Sequence, residues 1–142
     1  MVDPRDRGLA YGDGLFETLR VTADGSVPLW PWHLRRLLRG ARVLGLPFLP
    51  ETRYLSALEE GVAALGGKPG VVKLILTRGP GGRGYLPPSN PKPTVLWQAG
   101  PLPAWSHQLR EQGIVLGLCG EPLHPESLAG LKHLNRLPQV QA

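Results

Sequence analysis

The stretch Leu15-Phe16-Glu17-Thr18-Leu19-Arg20-Val21-Thr22 is rich in apolar residues that partly alternate with polar ones, and Ala23-Asp24-Gly25-Ser26 follows it directly. A second apolar-rich run, Val27-Pro28-Leu29-Trp30, comes next. An Asp-Gly pair between two such runs is typical of a β-hairpin turn. We therefore expect Leu15–Thr22 and Val27–Trp30 to be two strands of one sheet.

Two helices are predicted downstream of this hairpin. Pro31 suits the first turn of a helix, because the N–H that proline lacks has no partner there. Gly45 and Pro47 predict the end of that helix, and a second helix is predicted over Glu51–Leu65, closed by Gly66-Gly67. The first helix has apolar residues at helical spacing: Leu34, Leu37, Leu38, Ala41 and Leu44.

Three further strands are expected, at Val71–Thr77, Thr94–Ala99 and Ile114–Cys119. The segment Leu131–Val140 resembles the opening of a helix that is either interrupted or started by Pro138. The order of strands and helices predicts an α+β fold, in which a mainly antiparallel sheet carries both long helices on one face.

Composition narrows the class of protein. The 142 residues include 19 glycines, 16 prolines and one cysteine. A single cysteine excludes a disulfide framework and a zinc ribbon, and no run of about 18 apolar residues predicts a transmembrane helix. The polar start, Met1–Asp6, is unlike a signal peptide. We therefore expect a cytoplasmic protein without a membrane partner.

The formal charge of +5 has two interpretations, a nucleic-acid-binding surface or an arginine-rich soluble protein. We favour the second, because no aromatic residue lies inside the basic cluster Arg35–Arg42. The four histidines show no ligand spacing with Cys119 or the acids, so no metal site is expected. Asp13 and Glu17 could form an acid–base pair, but a structural role is favoured.

Gly79-Pro80-Gly81-Gly82-Arg83-Gly84 has the spacing G-x-G-x-x-G of dinucleotide-binding loops. That interpretation requires a helix after the loop, and the proline-rich sequence from Leu86 to Pro91 cannot form one. The segment is better interpreted as a loop that presents Arg83 and Tyr85. Loops of this length are often functional.

Lysines are scarce, and Lys132 is the most unusual of the four. It lies in Leu131-Lys132-His133-Leu134-Asn135-Arg136-Leu137, between apolar residues and beside cationic ones. Desolvation and neighbouring positive charge lower the pKa of an amine, which can then act as a nucleophile. The start of an amphipathic helix explains the pattern about equally well. Among the clustered arginines, a solvated helix face is the alternative to a phosphate site.

Four segments together resemble the fold-type IV pyridoxal-phosphate enzymes, which include branched-chain aminotransferases, D-amino-acid aminotransferases and aminodeoxychorismate lyases. Asp6–Thr18 is similar to the N-terminal signature of these enzymes, and His33-Leu34-Arg35-Arg36-Leu37 to their H-x-x-R-L segment. Thr77–Tyr85 and Leu131–Leu137 most resemble the aminodeoxychorismate lyase branch. The four segments occur in family order along the whole chain.

The resemblance implies a lyase that releases 4-aminobenzoate and pyruvate from 4-amino-4-deoxychorismate, a step toward folate. It implies that Lys132 binds pyridoxal 5'-phosphate covalently and moves the proton during elimination, and that Arg36 binds the cofactor phosphate. Arg83 and Tyr85 match loop positions that meet a substrate carboxylate in related aminotransferases. The substrate would be a small anionic molecule, and relatives are homodimers.

The resemblance also implies that only part of a family chain is present. We expect residues 1–120 to form the N-terminal α+β domain, and residues 121–142 an interdomain linker and the start of a C-terminal cofactor-binding domain. No residue matches the acid that faces the pyridine nitrogen, so the chain as given is expected to be an inactive fragment. A fold-type IV aminotransferase is the alternative, and an arginine-rich RNA-binding module is a remote one.

Overall fold

The computed structural model describes residues 2–104, 109, 111–118 and 128–141. A three-stranded antiparallel sheet lies at its centre, in the order β1 (Gly14–Val21), β2 (Gly70–Thr77), β3 (Thr94–Pro101). The helices whose bounds lie within these residues are α1 (Arg7–Tyr11), α2 (Trp30–Val43), α3 (Glu51–Ala63) and α4 (Leu137–Gln141). The predicted α+β class, with a mainly antiparallel sheet, is confirmed.

One face of the sheet is the core. The central strand β2 buries Val72, Leu74 and Leu76 completely on this face, and the same face of β1 buries Leu15, Leu19 and Val21. The intervening residues of β2 are only half-buried on the opposite face. Strands β1 and β2 are therefore amphipathic, with side chains that alternate between the two faces of the sheet.

Both long helices pack on this buried face, as predicted. Helix α2 contacts β1, and α3 contacts β2 and β3. Glycines permit the close approach: a Cβ on Gly40 would lie 2.9 Å from Leu15, and one on Gly61 would lie 2.7 Å from Val72. The helices add to the core Leu34, Leu37, Ala41, Tyr54, Ala57 and Leu58.

The predicted strand Val27–Trp30 is wrong, although the turn before it forms. Thr22 N donates to Ser26 O at 3.0 Å, as in a hairpin turn. Pro28 then has no N–H to donate to a strand ladder, and Pro31 favours the first turn of a helix. Helix α2 accordingly begins at Trp30, and β1 pairs with β2 instead.

The predicted strand Ile114–Cys119 is also wrong where it is described. Residues 114–118 form neither helix nor strand, and Cys119 lies outside the described residues. The exposed apolar residues of this segment are Ile114, Val115, Leu116 and Leu118. An apolar run predicts a strand only where another edge is available to pair with it, and nothing in the described chain pairs with this one.

The segment Leu131–Val140 is helical only from Leu137, so the part of the prediction in which Pro138 starts a helix is confirmed. Helix α1 was not predicted; Asp6 caps it by accepting from Gly8 N at 2.8 Å. None of the helices in the described ranges is long and apolar enough to cross a membrane.

We expect Leu74→Ala to lower the free energy of unfolding by about 2–5 kcal/mol, because it leaves a cavity in the fully buried layer. Ile75→Ala, on the half-buried face of the same strand, is the matched control and should cost clearly less. Chemical denaturation of both variants measures the difference. Equal losses would contradict the assignment of the core to one face.

Candidate functional site

The segment that carries Lys132 lies along the outer edge of β1. Phe16 N donates to Lys132 O at 2.9 Å, and Leu134 N donates to Gly14 O at 3.0 Å. These bonds form an antiparallel bridge and satisfy backbone groups at an edge that would otherwise be free. The main chain of Lys132 is thereby fixed beside the start of β1.

Glu17 is the buried carboxylate at the centre of the site, and 1% of its side chain is exposed. Arg36 donates two hydrogen bonds to this carboxylate, from Nε to Oε1 at 2.7 Å and from Nη2 to Oε2 at 2.6 Å. His33 Nδ1 lies 2.8 Å from Oε2, and a carboxylate at that distance accepts the proton of Nδ1. Because His33 and Arg36 are three residues apart on α2, both reach the same carboxylate.

These partners change the pKa of Glu17. Burial raises the pKa, but the hydrogen bonds from Arg36 and His33, with the positive charge of Arg36, outweigh burial and hold it below its usual value. Glu17 is therefore a stable anion that orients Arg36. Half of the Arg36 side chain is exposed, and within the described structure its Nη1 makes no hydrogen bond. That nitrogen can donate to an added anion.

Lys132 lies with its amine against the ring of Phe16, Nζ being 4.2 Å from the ring centroid. Burial lowers the pKa of the amine. Glu17 opposes this shift, while the charges of Arg136, Arg36 and Lys73 lower the pKa further. A lowered pKa increases the fraction of neutral amine, which is the form that attacks a carbonyl carbon.

Arg7 holds the loop that contains Arg83 and Tyr85. Its buried guanidinium donates to Gly84 O at 3.1 Å and to Tyr85 O at 2.8 Å. The Tyr85 ring packs edge-on against Tyr11, with 5.7 Å between centroids. The Arg83 side chain remains exposed. The loop that the sequence predicted is thus held through its backbone, while the side chain of Arg83 is exposed.

Asp13 connects this loop to the helices. Its carboxylate accepts from Arg7 Nε at 2.9 Å and from Arg78 Nε at 2.7 Å. Arg78 also donates to Leu44 O and Gly45 O, each at 2.8 Å, at the end of α2. Burial raises the pKa of Asp13, but the bonds from the two arginines outweigh it and lower the pKa overall.

The structure brings together two of the four residues singled out in the sequence. Arg36 is bonded to Glu17, Lys132 packs on the ring of the neighbouring residue Phe16, and the charge of Arg36 lowers the pKa of the Lys132 amine. In the described ranges no hydrogen bond, ion pair or ring contact joins Arg83 or Tyr85 to them. Both regions nevertheless contact α1 or its cap, since Tyr11 contacts Tyr85 and Asn135 Nδ2 donates to Gly12 O at 3.1 Å.

Sequence reasoning found the cationic neighbours of Lys132 in its own segment but missed Phe16 and Lys73. The ring of Phe16 is contacted by the charged groups of Lys132, Lys73 and Arg136. A lysine inside the apolar strand β2 was the available signal, but only the pairing of Lys73 with Thr18 places it near Phe16. Arg7 was missed because it belongs to a helix that was not predicted.

The family model of Amino-transferase class IV matches residues 14–142, which include Phe16, Glu17, Arg36 and Lys132. The chain belongs to this family. Its fold matches the N-terminal domain of the fold-type IV enzymes, as the sequence resemblance implied.

Individual relatives agree with this membership. An aminodeoxychorismate lyase of Vibrio harveyi is 36% identical over 96% of this chain and 50% of its own length. The crystal structure of a 4-amino-4-deoxychorismate lyase from Pseudomonas aeruginosa is 47% identical, with a TM-score of 0.89 over 100% of this chain and 52% of that one. The PLP-bound form of a hypothetical aminotransferase from Mycobacterium tuberculosis is 31% identical, with a TM-score of 0.64 over 78% of this chain and 37% of that one. This member of the class IV aminotransferase family thus spans about half the length of the curated relatives it matches.

Stability should fall in acid because the pKa values of Glu17 and Asp13 are lowered by folding. Such carboxylates stabilise the fold above their unfolded pKa, and that contribution is lost as the pH falls through the lower folded pKa. We expect the free energy of unfolding to decline below about pH 4.5. Glu17→Gln should make the decline shallower and lower stability at pH 7.

Denaturation at several pH values measures both effects. Glu59→Gln, which changes an exposed carboxylate on α3, is the matched control and should retain the wild-type slope. A Glu17→Gln protein with the wild-type slope would show that this carboxylate is not coupled to folding.

Proposed function

We propose that the full-length protein carrying this sequence is a pyridoxal-phosphate-dependent 4-amino-4-deoxychorismate lyase, which forms 4-aminobenzoate and pyruvate. The observation that carries the proposal is the Lys132 amine, which packs on the ring of Phe16 and has a pKa lowered by burial and by neighbouring positive charges, that of Arg36 among them. Two of the relatives, 36% and 47% identical to this chain, bear the name of that activity.

Lys132 has the chemistry that the cofactor requires. When bound, pyridoxal phosphate supplies an aldehyde for an amine and a conjugated ring that accepts electrons. Nζ of Lys132 would bind the aldehyde, and the same nitrogen would hold and return the proton that elimination moves. The backbone bond from Phe16 N to Lys132 O fixes the main chain, and the contact with the Phe16 ring orients this nitrogen.

Arg36 fits the role of phosphate ligand. Glu17 and His33 fix its guanidinium from the buried side, and the half-exposed group retains a donor for an anion. Guanidinium groups bind phosphate oxygens through charge-assisted hydrogen bonds. No described acid beside Lys132 suits the pyridine nitrogen, because Glu17 is already held by Arg36 and His33.

Arg83 and Tyr85 are proposed to recognise a substrate carboxylate. The substrate is dianionic, the Arg83 side chain is exposed, and Arg7 holds the loop backbone in place. Because the loop backbone is already held, an anion that binds Arg83 does not first have to order the loop.

We propose further that the protein is a cytoplasmic homodimer. We also propose that residues 1–120 and 121–142 belong to successive domains. The apolar side chains of 114–118, which are exposed here, support a further domain that would cover them. The proposed boundary itself lies within residues 119–127, outside the described residues.

A fold-type IV aminotransferase is the second candidate. The observation that favours it is the likeness to the Mycobacterium tuberculosis structure, which is described as an aminotransferase. The two reactions differ in what they need, since elimination requires no 2-oxo-acid acceptor. Release of 4-aminobenzoate and pyruvate without an acceptor supports the lyase, and amino transfer alone supports the aminotransferase.

In the full-length protein we expect Lys132→Ala to abolish the adduct that borohydride forms with the bound cofactor. Lyase turnover should fall by a factor on the order of 10³ or more, because this nitrogen serves both as nucleophile and as proton carrier. Peptide mapping by mass spectrometry locates the adduct. Lys92→Ala, in the exposed loop, is the control and should keep both adduct and turnover. An adduct on another lysine would refute the assignment.

Arg83→Ala should raise the apparent KM about ten- to hundredfold, the loss expected for a charge-assisted hydrogen bond. The Kd for cofactor should change little, because Arg36 is proposed to bind the phosphate. Titration of the apoenzyme with cofactor, beside steady-state kinetics, measures both. Arg39→Ala, an exposed arginine on α2, is the control. Equal loss of substrate and cofactor binding would contradict the carboxylate role.

A further inference from the structure

Three cations converge on the ring of Phe16. The distances to the ring centroid are 4.2 Å for Lys132 Nζ, 4.8 Å for Lys73 Nζ and 5.3 Å for Arg136 Cζ. Electron-rich aromatic faces attract cations, so one ring can hold several of them close together. Lys132 already has a proposed role, which leaves open why Arg136 lies beside it.

Arg136 also binds the backbone on both sides of Lys132. Its Nε donates to His133 O at 2.9 Å, and its Nη2 makes a longer bond of 3.4 Å to Leu131 O. A guanidinium carries several donors in a fixed plane and can therefore contact two carbonyls together, whereas the single nitrogen of lysine forms a less rigid contact. The guanidinium thus bridges the residues that flank Lys132.

The charges around the Lys132 amine come from every element packed against it. Glu17 on β1 is the anion, but its charge is shared with Arg36 and His33. The cations are Arg36 on α2, Lys73 on β2 and Arg136 in the same segment. His133 is the remaining titratable group there within the part of the chain that the structure describes. Among the cations, Arg136 has the largest effect on the amine.

We propose that Arg136 is the positioning residue for Lys132: its guanidinium holds the extended segment against Phe16 and keeps a positive charge beside Nζ. This proposal deepens the proposed function and rests on it only for the role of Lys132 as the amine that binds the cofactor. The geometry predicts two separable effects, one of charge on the amine and one of hydrogen bonding on the segment.

The test uses the full-length apoprotein, so that neither cofactor nor turnover enters the measurement. The charge effect is measured as the pH dependence of acetylation of Lys132 by acetic anhydride, followed by mass spectrometry. The segment effect is measured as amide hydrogen exchange of residues 131–134. The variants are Arg136→Gln, which loses both the charge and the guanidinium donors to the two carbonyls, and Arg136→Lys, which loses those donors but keeps the charge.

We expect Arg136→Gln to shift the acetylation profile to higher pH by about half a unit or more, which lowers reactivity near pH 8 about threefold. Arg136→Lys should keep the wild-type profile. Both variants should accelerate amide exchange in residues 131–134. Arg20→Gln removes an exposed positive charge from the same face of β1, about 13 Å along the strand from Phe16, and should change neither readout.

A wild-type acetylation profile in Arg136→Gln would overturn the charge effect, as would an equal shift in Arg20→Gln. Wild-type exchange in Arg136→Lys would overturn the segment effect. If Arg136→Gln does not fold, Arg136→Lys still tests both parts, since a shifted profile there contradicts the charge effect. Failure of the proposed function shows instead as a missing borohydride adduct on Lys132, which these measurements do not involve.

Discussion

Strand β1 has hydrogen-bonding groups along two edges, and each edge is occupied by a different part of the chain. One edge pairs with β2 from Gly14 to Val21. At the other edge, Gly14 O accepts a hydrogen bond from Leu134 N, and Phe16 N donates one to Lys132 O. Because a free edge exposes backbone donors and acceptors, this second pairing satisfies such groups at the start of that edge. It also places Lys132, which is far along the chain from β1, beside Phe16 near the start of that strand.

The pleat of β1 gives its neighbouring residues opposite surroundings. Glu17 faces the helices, where it is buried and held by α2. Phe16 belongs to the open face, where three cationic side chains approach its ring. Successive side chains on a strand point to opposite faces, so a shift of one residue would exchange these surroundings. The register of β1 therefore decides which group contacts Lys132.

Carboxylates organise the arginines on the helix side of the molecule. Asp13 holds Arg7 and Arg78, and Glu17 holds Arg36 with His33. Removal of one member of such a buried pair leaves an uncompensated charge, so the pairs specify an arrangement even where their net stabilisation is small. Among the described residues no carboxylate pairs with Lys132, because the nearby Glu17 is already paired with Arg36 and His33. The pairing that holds Arg36 on Glu17 thus leaves the Lys132 amine with mainly positive charges around it.

The local sequence determined the two long helices, the strands β2 and β3, and the turn after β1, because leucine spacing, proline and glycine act within a few residues. The resemblance in Leu131–Leu137 singled out Lys132, and His33–Leu37 singled out Arg36. The tertiary structure decided the rest. Pairing between distant segments placed 132–134 at the β1 edge, left 114–118 without a strand partner among the described residues, and set Lys73 opposite Thr18. An apolar or charged residue encodes a preference for burial or solvent, but which edge and which ring it meets depends on contacts between segments far apart in the chain.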